Sequence, residues 1–471
     1  MKKSLLNFAT VLLTMLSISS CSNDDDNPTP VVVTPPVTGS VELTGNLSTR
    51  TLTSTTKYLI KGQVFVNDGQ TLTIEPGTII FGDKATKGTL IIAPGGKIIA
   101  NGTATRPIVF TSALAAGTRD RGDWGGLIIL GKANVNQASP AIEGVTPSVT
   151  YGGTVDTDNS GSLKFVRVEF AGIELTPNNE TNSITLGGVG SGTVLENTQV
   201  SFGGDDGFEW FGGSVNGKNL ISFASWDDSF DVDFGFSGKV QFGVEVRYPS
   251  FADQSGSNSF ECDNGPNDNV TTLLTTGVFS NFTLIGPKLT AAQSINANFQ
   301  HSLDLRRRTA VTIANSVFVG YPRGIRFNQQ SVVENYATTT GTANGFLLNN
   351  VMHTNSNSST NPVYAVGSGM TATAAHVATI WTATNVMSNE PDNAVGYAAL
   401  GLNTNIFFGT KSNTGYEANP TFAVTGGLLA TGASFTNAKL SGLTSTTYVG
   451  AFGSTDWTDG WAEFNPIAKA Y

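Results

Sequence analysis

The sequence predicts an all-β protein, built as a right-handed parallel β-helix that ends in irregular C-terminal coils and a cap. Five segments align without a gap, and each centres on an apolar–charged–apolar triplet, the alternation typical of a strand. A repeat of 22 to 43 residues with one structural unit each is typical of a solenoid. The triplets begin at Phe208, Phe230, Phe260, Leu303 and Ile325.

Composition agrees with this fold class. Only 13% of the 471 residues are charged and 54 are glycine, which favours strands and turns over helices. The net charge of −10 argues against nucleic acid as a partner and against adhesion to anionic lipid. The chain has two cysteines, Cys21 and Cys262, so a disulfide framework is excluded, and Cys262 is expected in the core.

A second strand precedes each triplet, and insertions follow some of these strands. We expect the solenoid to bind at the corner where insertions gather, since repeats carry them on one face. The preceding strands lie near residues 165–170, 198–202, 219–223, 243–246, 281–285 and 316–319. The insertions are 173–182, 247–259 and 286–302.

The N-terminus predicts export and lipid attachment. Residues 1–20 have the charged start and short apolar run of a secretory signal peptide. Ile18-Ser19-Ser20-Cys21 resembles a bacterial lipobox, whose cysteine carries the lipid (palmitate among its chains); an ordinary signal peptide is the alternative. Residues 21–40 are acidic and Pro-rich, and they predict a semi-extended tether.

Two stretches of sequence carry a family resemblance. The acidic run Asp24-Asp25-Asp26 resembles the export signal of Bacteroidota surface lipoproteins. The mature chain resembles right-handed β-helix lipoproteins, a group without a settled activity. The resemblance implies a lipid anchor on Cys21 in the outer membrane and display at the cell surface. The resembling segments are 69–82, 93–112, 192–243 and 448–466.

The β-helix is predicted over residues 41–330, and the remainder, 331–471, is predicted as irregular coils and a cap. In that remainder, residues 346–352 resemble one more strand and residues 370–382 a short helix.

Stacking the triplets predicts two columns of charge on the outer face. Strands stack about 4.8 Å apart, and two like charges ~5 Å apart cost about 3 kcal/mol at an effective dielectric near 20, so something must compensate them. The first column is Glu209, Asp231, Glu261, Asp304 and Arg326. The second contains Asp233, Asp263 and Arg306. The preceding turns add Asp205, Asp206, Asp227 and Asp228.

Three explanations for the columns stay open. Arginines such as Arg306 and Arg326 could neutralise the carboxylates, leaving a solvated, self-paired stripe. Calcium, which takes 6–8 oxygen ligands, could bind among Asp231, Asp233, Glu261 and Asp263. Alternatively, paired carboxylates such as Asp227 and Asp228 with Asp231 could act as general acid and base.

We therefore expect an outer-membrane lipoprotein that binds or scaffolds at the cell surface, with glycan or nutrient capture as its role. An extracellular glycan or a TonB-dependent uptake receptor would be its partner. The rival hypothesis is a polysaccharide lyase or glycoside hydrolase acting in the acidic groove. Whether the protein is an enzyme stays open at this stage.

Overall fold

Parallel strand pairing dominates the computed structural model, which describes residues 39–177, 179–336, 344–353, 361–412 and 415–471. All of them fall in one compact unit, Pro36–Tyr471. The predicted signal peptide, Cys21 and the tether through residue 38 lie outside the described residues. In the part of the chain that is described, no helix is both long and apolar enough to cross a membrane.

The described strands form two long parallel sheets and one short antiparallel hairpin. The 11-stranded sheet consists of Asn46–Leu47, Gln63–Val66, Thr89–Ile92, Leu127–Leu130, Ile184–Gly187, Phe208–Phe211, Phe230–Asp233, Phe260–Cys262, His301–Leu305, Arg323–Phe327 and Tyr364–Val366. The hairpin pairs Glu174–Thr176 with Asn179–Glu180.

The 17-stranded sheet takes up the rest of each coil. Its strands are Val41–Leu43, Arg50–Leu52, Tyr58–Ile60, Thr71–Ile74, Ile79–Gly82, Lys97–Asn101, Ile108–Ser112, Gly161–Glu169, Val194–Ser201, Asn216–Phe223, Lys239–Val246, Val278–Ile285, Thr312–Ala314, Val317–Val319, Phe346–Leu348, Val351–His353 and Val386–Met387. The predicted right-handed parallel β-helix is confirmed, because successive parallel strands are joined by crossovers, which take the right-handed sense.

The 17-stranded sheet bends sharply within its long strands. At the bend one residue per coil adopts left-handed φ, as at Asn197 (50°), Asn219 (58°) and Asn281 (61°). Asparagine tolerates this conformation better than other non-glycine residues. The bend divides each coil into three straight faces, so that the 11-stranded sheet is one side of a three-sided solenoid.

The predicted register of the triplets is confirmed at every step. Phe208, Phe230, Phe260, Leu303 and Ile325 are paired in sequence across the 11-stranded sheet, and all are fully buried. The ring centroids of Phe208 and Phe230 lie 5.9 Å apart, and those of Phe230 and Phe260 lie 5.0 Å apart. Cys262 is a buried free cysteine, as expected for a core position.

The C-terminal region contains further coils, together with several helices. Coils continue to Val386–Met387, and the predicted strand over 346–352 divides at Asn349, whose φ is 54°. Helices form at Gln330–Tyr336, Ala374–Thr382 and Ala394–Leu400, the second of them starting four residues later than predicted. Short 3-10 helices follow at Thr404–Ile406, Leu428–Ala430, Ala438–Leu440 and Pro466–Ala468.

Residues beyond 420 form a strap that runs back along the outside of the 17-stranded sheet. The side-chain amide of Gln241 exchanges two hydrogen bonds with the backbone of Thr444, at 2.7 and 2.8 Å. Gln199 does the same with Glu463, and Arg119 donates to the carbonyl of Lys469 at 2.8 Å. The strap therefore covers a face of the solenoid rather than its end.

Candidate functional site

The predicted acidic column lies in register on the outer face of the 11-stranded sheet. Thr185, Glu209, Asp231, Glu261, Asp304 and Arg326 are paired from each coil to the next. The column is not a solvated stripe throughout, because Asp304 is fully buried and Glu209 is only 9% exposed. Facing away from the solenoid core does not expose these side chains.

Insertions border the column. At the end of the predicted insertion 247–259, the backbone N–H of Asn258 donates to Asp228 and the Asn258 amide donates to Glu261 at 3.3 Å. The insertion 286–302 packs against 247–259 through a 2.9 Å hydrogen bond from Gln300 to the Ser257 carbonyl. A further insertion, 131–160, was missed from the sequence, and it places Tyr151 beside Glu209.

Arginines neutralise the C-terminal end of the column. Arg306 forms ion pairs with Glu261 and, at 3.2 Å, with Asp263. Arg307 contacts Asp263 at 2.8 Å, and Arg326 binds both oxygens of Asp304. Burial nevertheless raises the pKa of Asp263 to about 6, against the opposing effect of the arginines.

The N-terminal end has no such partners. Among the described residues, no lysine or arginine forms a salt bridge with six carboxylates, which we call the unpaired acidic cluster: Asp205, Asp206, Glu209, Asp227, Asp228 and Asp231. Their oxygens converge in sets of three that lie within 4.8 Å of one another. The sets are Asp205–Asp206–Asp227, Asp206–Glu209–Asp231 and Asp228–Asp231–Glu261.

Burial and like charge both disfavour ionisation in this cluster. Burial raises the pKa of Asp205 to about 8, and the neighbouring Asp227 adds to the shift. Burial likewise raises the pKa of Asp231 well above its usual range, and repulsion from Glu209 and Glu261 raises it further. One buried oxygen of Asp231 has no hydrogen-bond partner in the described part of the chain. The cluster therefore needs protons or a bound cation to compensate its charge.

The predicted calcium set is only partly brought together. Asp231 and Glu261 converge, but their third partner is Asp228. Asp233 instead accepts hydrogen bonds from the N–H groups of Phe234 and Gly265, and Asp263 is held by arginines. Asp233 and Asp263 lie at the ends of their strands, where the chain turns. They therefore bind backbone amides of the turn and arginines of the next coil instead of joining the set.

A third column was missed although the repeat alignment contains it. Each of its members stands two residues before the first apolar residue of a triplet or its equivalent: Asn182, Asp206, Asp228, Asn258, His301 and Arg323. Asp206 accepts the N–H of Asp228 at 2.8 Å, and Asn258 accepts the N–H of His301 at 3.0 Å. These side chains thus link successive coils and also line the site.

A cavity of about 380 Å³ opens at the unpaired acidic cluster. Its floor contains Asp206, Glu209 and Asn182, and its wall contains the aromatic rings of Tyr151, Phe211 and Phe234. Asn182 donates to Glu209 and, at 3.2 Å, to Thr185.

Comparison with known proteins matches this architecture. A family model described as a pectate-lyase-like β-helix domain matches residues 44–462. The chain belongs to this family. No curated protein and no solved structure matches it significantly. The predicted β-helix relationship is thereby confirmed, and the family is compatible with polysaccharide binding or cleavage.

The geometry of this β-helix favours some chemistries over others. An inverting hydrolase keeps its two carboxyl groups about 6.5–9.5 Å apart to admit a water. The converging oxygens here lie within 4.8 Å, which is closer than that spacing and nearer to the about 5–5.5 Å of retaining enzymes. Arg306 and Arg326 are both engaged by carboxylates, so neither is a ready proton acceptor for a lyase. An all-oxygen set of carboxylates is the kind that a hard cation such as Ca²⁺ prefers.

Proposed function

We propose that this protein is a lipid-anchored surface β-helix that binds an extracellular polysaccharide at the acidic face of its 11-stranded sheet. One observation carries the proposal: buried carboxylates without salt bridges open into a cavity that has aromatic walls. Such pockets, with a few convergent polar groups beside aromatic surface, are typical of ligand sites, and sugars stack on aromatic rings.

Calcium is the cation that we propose for the set Asp228–Asp231–Glu261, in which Asp228 and Asp231 have no salt bridge to a described residue and Glu261 also pairs with Arg306. The buried oxygen of Asp231 that lacks a hydrogen-bond partner among the described residues supports this proposal, because a cation could bind it. The three carboxylates also offer hard oxygen ligands, which Ca²⁺ prefers. Bound Ca²⁺ would order the loop 247–259 through Asn258, whose N–H is held by Asp228. It would thereby shape the edge of the groove beside the cavity.

The location is proposed from the N-terminal sequence. Cys21 follows Ile18-Ser19-Ser20, and Asp24-Asp25-Asp26 begins a Pro-rich tether. A lipid on Cys21 would hold the β-helix at the outer membrane, and export would present it outside the cell. A TonB-dependent receptor that imports captured oligosaccharide would be its partner.

A glycan array with detection of newly formed reducing ends tests the role, with and without Ca²⁺. We expect one class of glycan to bind without new reducing ends. Cleavage of the bound glycan would instead establish the second candidate, a hydrolase or lyase. That candidate is favoured by one observation, the pKa of Asp205, which burial raises to about 8 and which suits a general acid at neutral pH. Binding of no glycan would overturn both.

Calcium binding has its own test, thermal unfolding with Ca²⁺ or chelator. A ligand that binds only the native state raises the melting temperature, so Ca²⁺ should stabilise the protein. Asp231→Asn should remove most of that increment and stabilise the calcium-free protein, because a repulsion is relieved. The matched control is Asp68→Asn, at an exposed pair with Lys132, which should leave the calcium effect unchanged. An unfolding curve indifferent to Ca²⁺ would contradict the site.

A further inference from the structure

The charge of the cavity beside Glu209 restricts what it can hold. Five carboxylates line it, and no lysine, arginine or histidine is among the described residues that do so. Two of the five, Glu143 and Glu180, are exposed at the rim, whereas Asp206 and Glu209 form a buried floor. A uronate sugar would bring a further negative charge into this group, and a cationic ligand would relieve it.

A buried amide oxygen in the cavity also lacks a hydrogen-bond partner among the described residues. Asn182 is 5% exposed, its Nδ2 donates to Glu209, and its buried Oδ1 accepts no hydrogen bond from any described residue. Buried polar atoms are nearly always satisfied, so an unsatisfied acceptor beside a carboxylate indicates a donor that is absent. A single group with several N–H donors, such as an ammonium, could serve Asn182 and Glu209 together.

The walls indicate that the ligand is organic rather than a bare ion. The rings of Phe211 and Phe234 lie 5.1 Å apart between centroids, and both are partly accessible. Tyr151, from the insertion 131–160, lines the same cavity. Aromatic faces attract cations as well as sugar C–H surfaces. A cavity of about 380 Å³ has room for one or two sugar rings.

We propose that this cavity binds a hexosamine whose amino group is free and protonated, with the ammonium between Glu209 and Asn182 and the sugar ring against Phe211. This inference rests on the proposed glycan-binding function and names its ligand class. The proposed ligand is cationic, and it therefore differs from the acidic polysaccharide that the family description suggests.

The test is isothermal titration of the full mature chain with three matched tetrasaccharides: glucosamine, N-acetylglucosamine and galacturonate, each with Ca²⁺ or chelator. We expect the glucosamine tetramer to bind, and acetylation to weaken binding on the order of 10- to 100-fold, the range for a hydrogen bond to a charged group. Galacturonate should not bind, with or without Ca²⁺.

Glu209→Gln should reduce affinity for the glucosamine tetramer to a similar extent, while it relieves repulsion and so should not unfold the protein. The matched control is Glu196→Gln, on the 17-stranded sheet, where Glu196 pairs with Lys164 at 3.3 Å. This variant should bind the glucosamine tetramer with unchanged affinity. Equal affinity for the acetylated tetramer, or binding of galacturonate, would overturn the inference and leave the proposed function standing. Binding of no glycan in any array would overturn both.

Discussion

The ion pairs of Arg306 offer the sharpest test of how the acidic column is compensated. The guanidinium is 19% exposed and contacts Glu261, 15% exposed, and Asp263, 5% exposed. Arg306→Ala leaves Arg307 on Asp263 at 2.8 Å but strips Glu261 of its cation. Because Glu261 and Asp263 can take up protons instead of remaining charged and unpaired, we expect a loss of about 2–3 kcal/mol at pH 8, below the roughly 3–5 kcal/mol typical when one partner of a fully ionised buried pair is removed.

The loss should depend on pH in a defined direction. Burial already raises the pKa of Glu261 to about 8 although Arg306 opposes the shift, and without Arg306 it rises further. Between the unfolded pKa near 4.5 and this raised value, the native state binds more protons than the unfolded state, so stability falls as pH rises. At pH 5 Glu261 is protonated, and the variant should lose much less.

Urea unfolding at pH 5 and pH 8, at one salt concentration and with chelator, measures both losses. Arg308→Ala is the matched control, because Arg308 contacts Asp268 at 3.8 Å with both side chains partly exposed, and such a pair contributes about 1 kcal/mol or less. Adding Glu261→Gln to Arg306→Ala should restore stability. An equal loss at the two pH values, or a loss no larger than the control, would refute this account.

Three further predictions concern the core, the cluster and the anchor. Phe230→Ala should cost about 3–5 kcal/mol in urea unfolding, whereas Val395→Ala, at a side chain 79% exposed, should change stability by about 0.5 kcal/mol or less. Without Ca²⁺ the melting temperature should fall from pH 5 to pH 8, because burial raises the pKa of Asp205 to about 8 and of Asp233 to about 7; a rise would contradict this. Cys21→Ser should move the protein from the membrane to the soluble fraction or leave it unprocessed, as fractionation would show.

The strand register could be predicted because it depends on local alternation. In Phe208-Glu209-Trp210 and Phe230-Asp231-Val232 the apolar residues must enter one core, and a slip of one residue would reverse both. Stacking then follows from the parallel solenoid, since matched positions in consecutive coils are adjacent. The aromatic stack and the order of the acidic column are direct consequences of the pattern.

Burial of that column could not be predicted in the same way. Alternation tells which side of a strand a residue faces, but not what lies above it. The insertion 131–160, which carries Tyr151, is Gly-, Pro- and Asn-rich and has no period from which its path could be inferred. Asn182 lies at the end of the predicted insertion 173–182, outside the five aligned segments, and its contact with Glu209 depends on how the turn before the strand is folded.

The C-terminal strap is one reason why we place the proposed ligand site on the 11-stranded sheet. In Leu220-Ile221-Ser222-Phe223 the outward positions are apolar too, and a strand buried on both faces needs cover on both. Phe464, in the strap, and Phe408, which precedes the strap in the chain, provide this cover; each ring centroid lies 5.3 Å from that of Phe223. The outer face of the 11-stranded sheet carries carboxylates at the equivalent positions, and insertions there leave a cavity open instead of sealing it. The apolar outward residues of the 17-stranded sheet are therefore covered by the strap, whereas the charged outward residues of the 11-stranded sheet remain available to the proposed ligand.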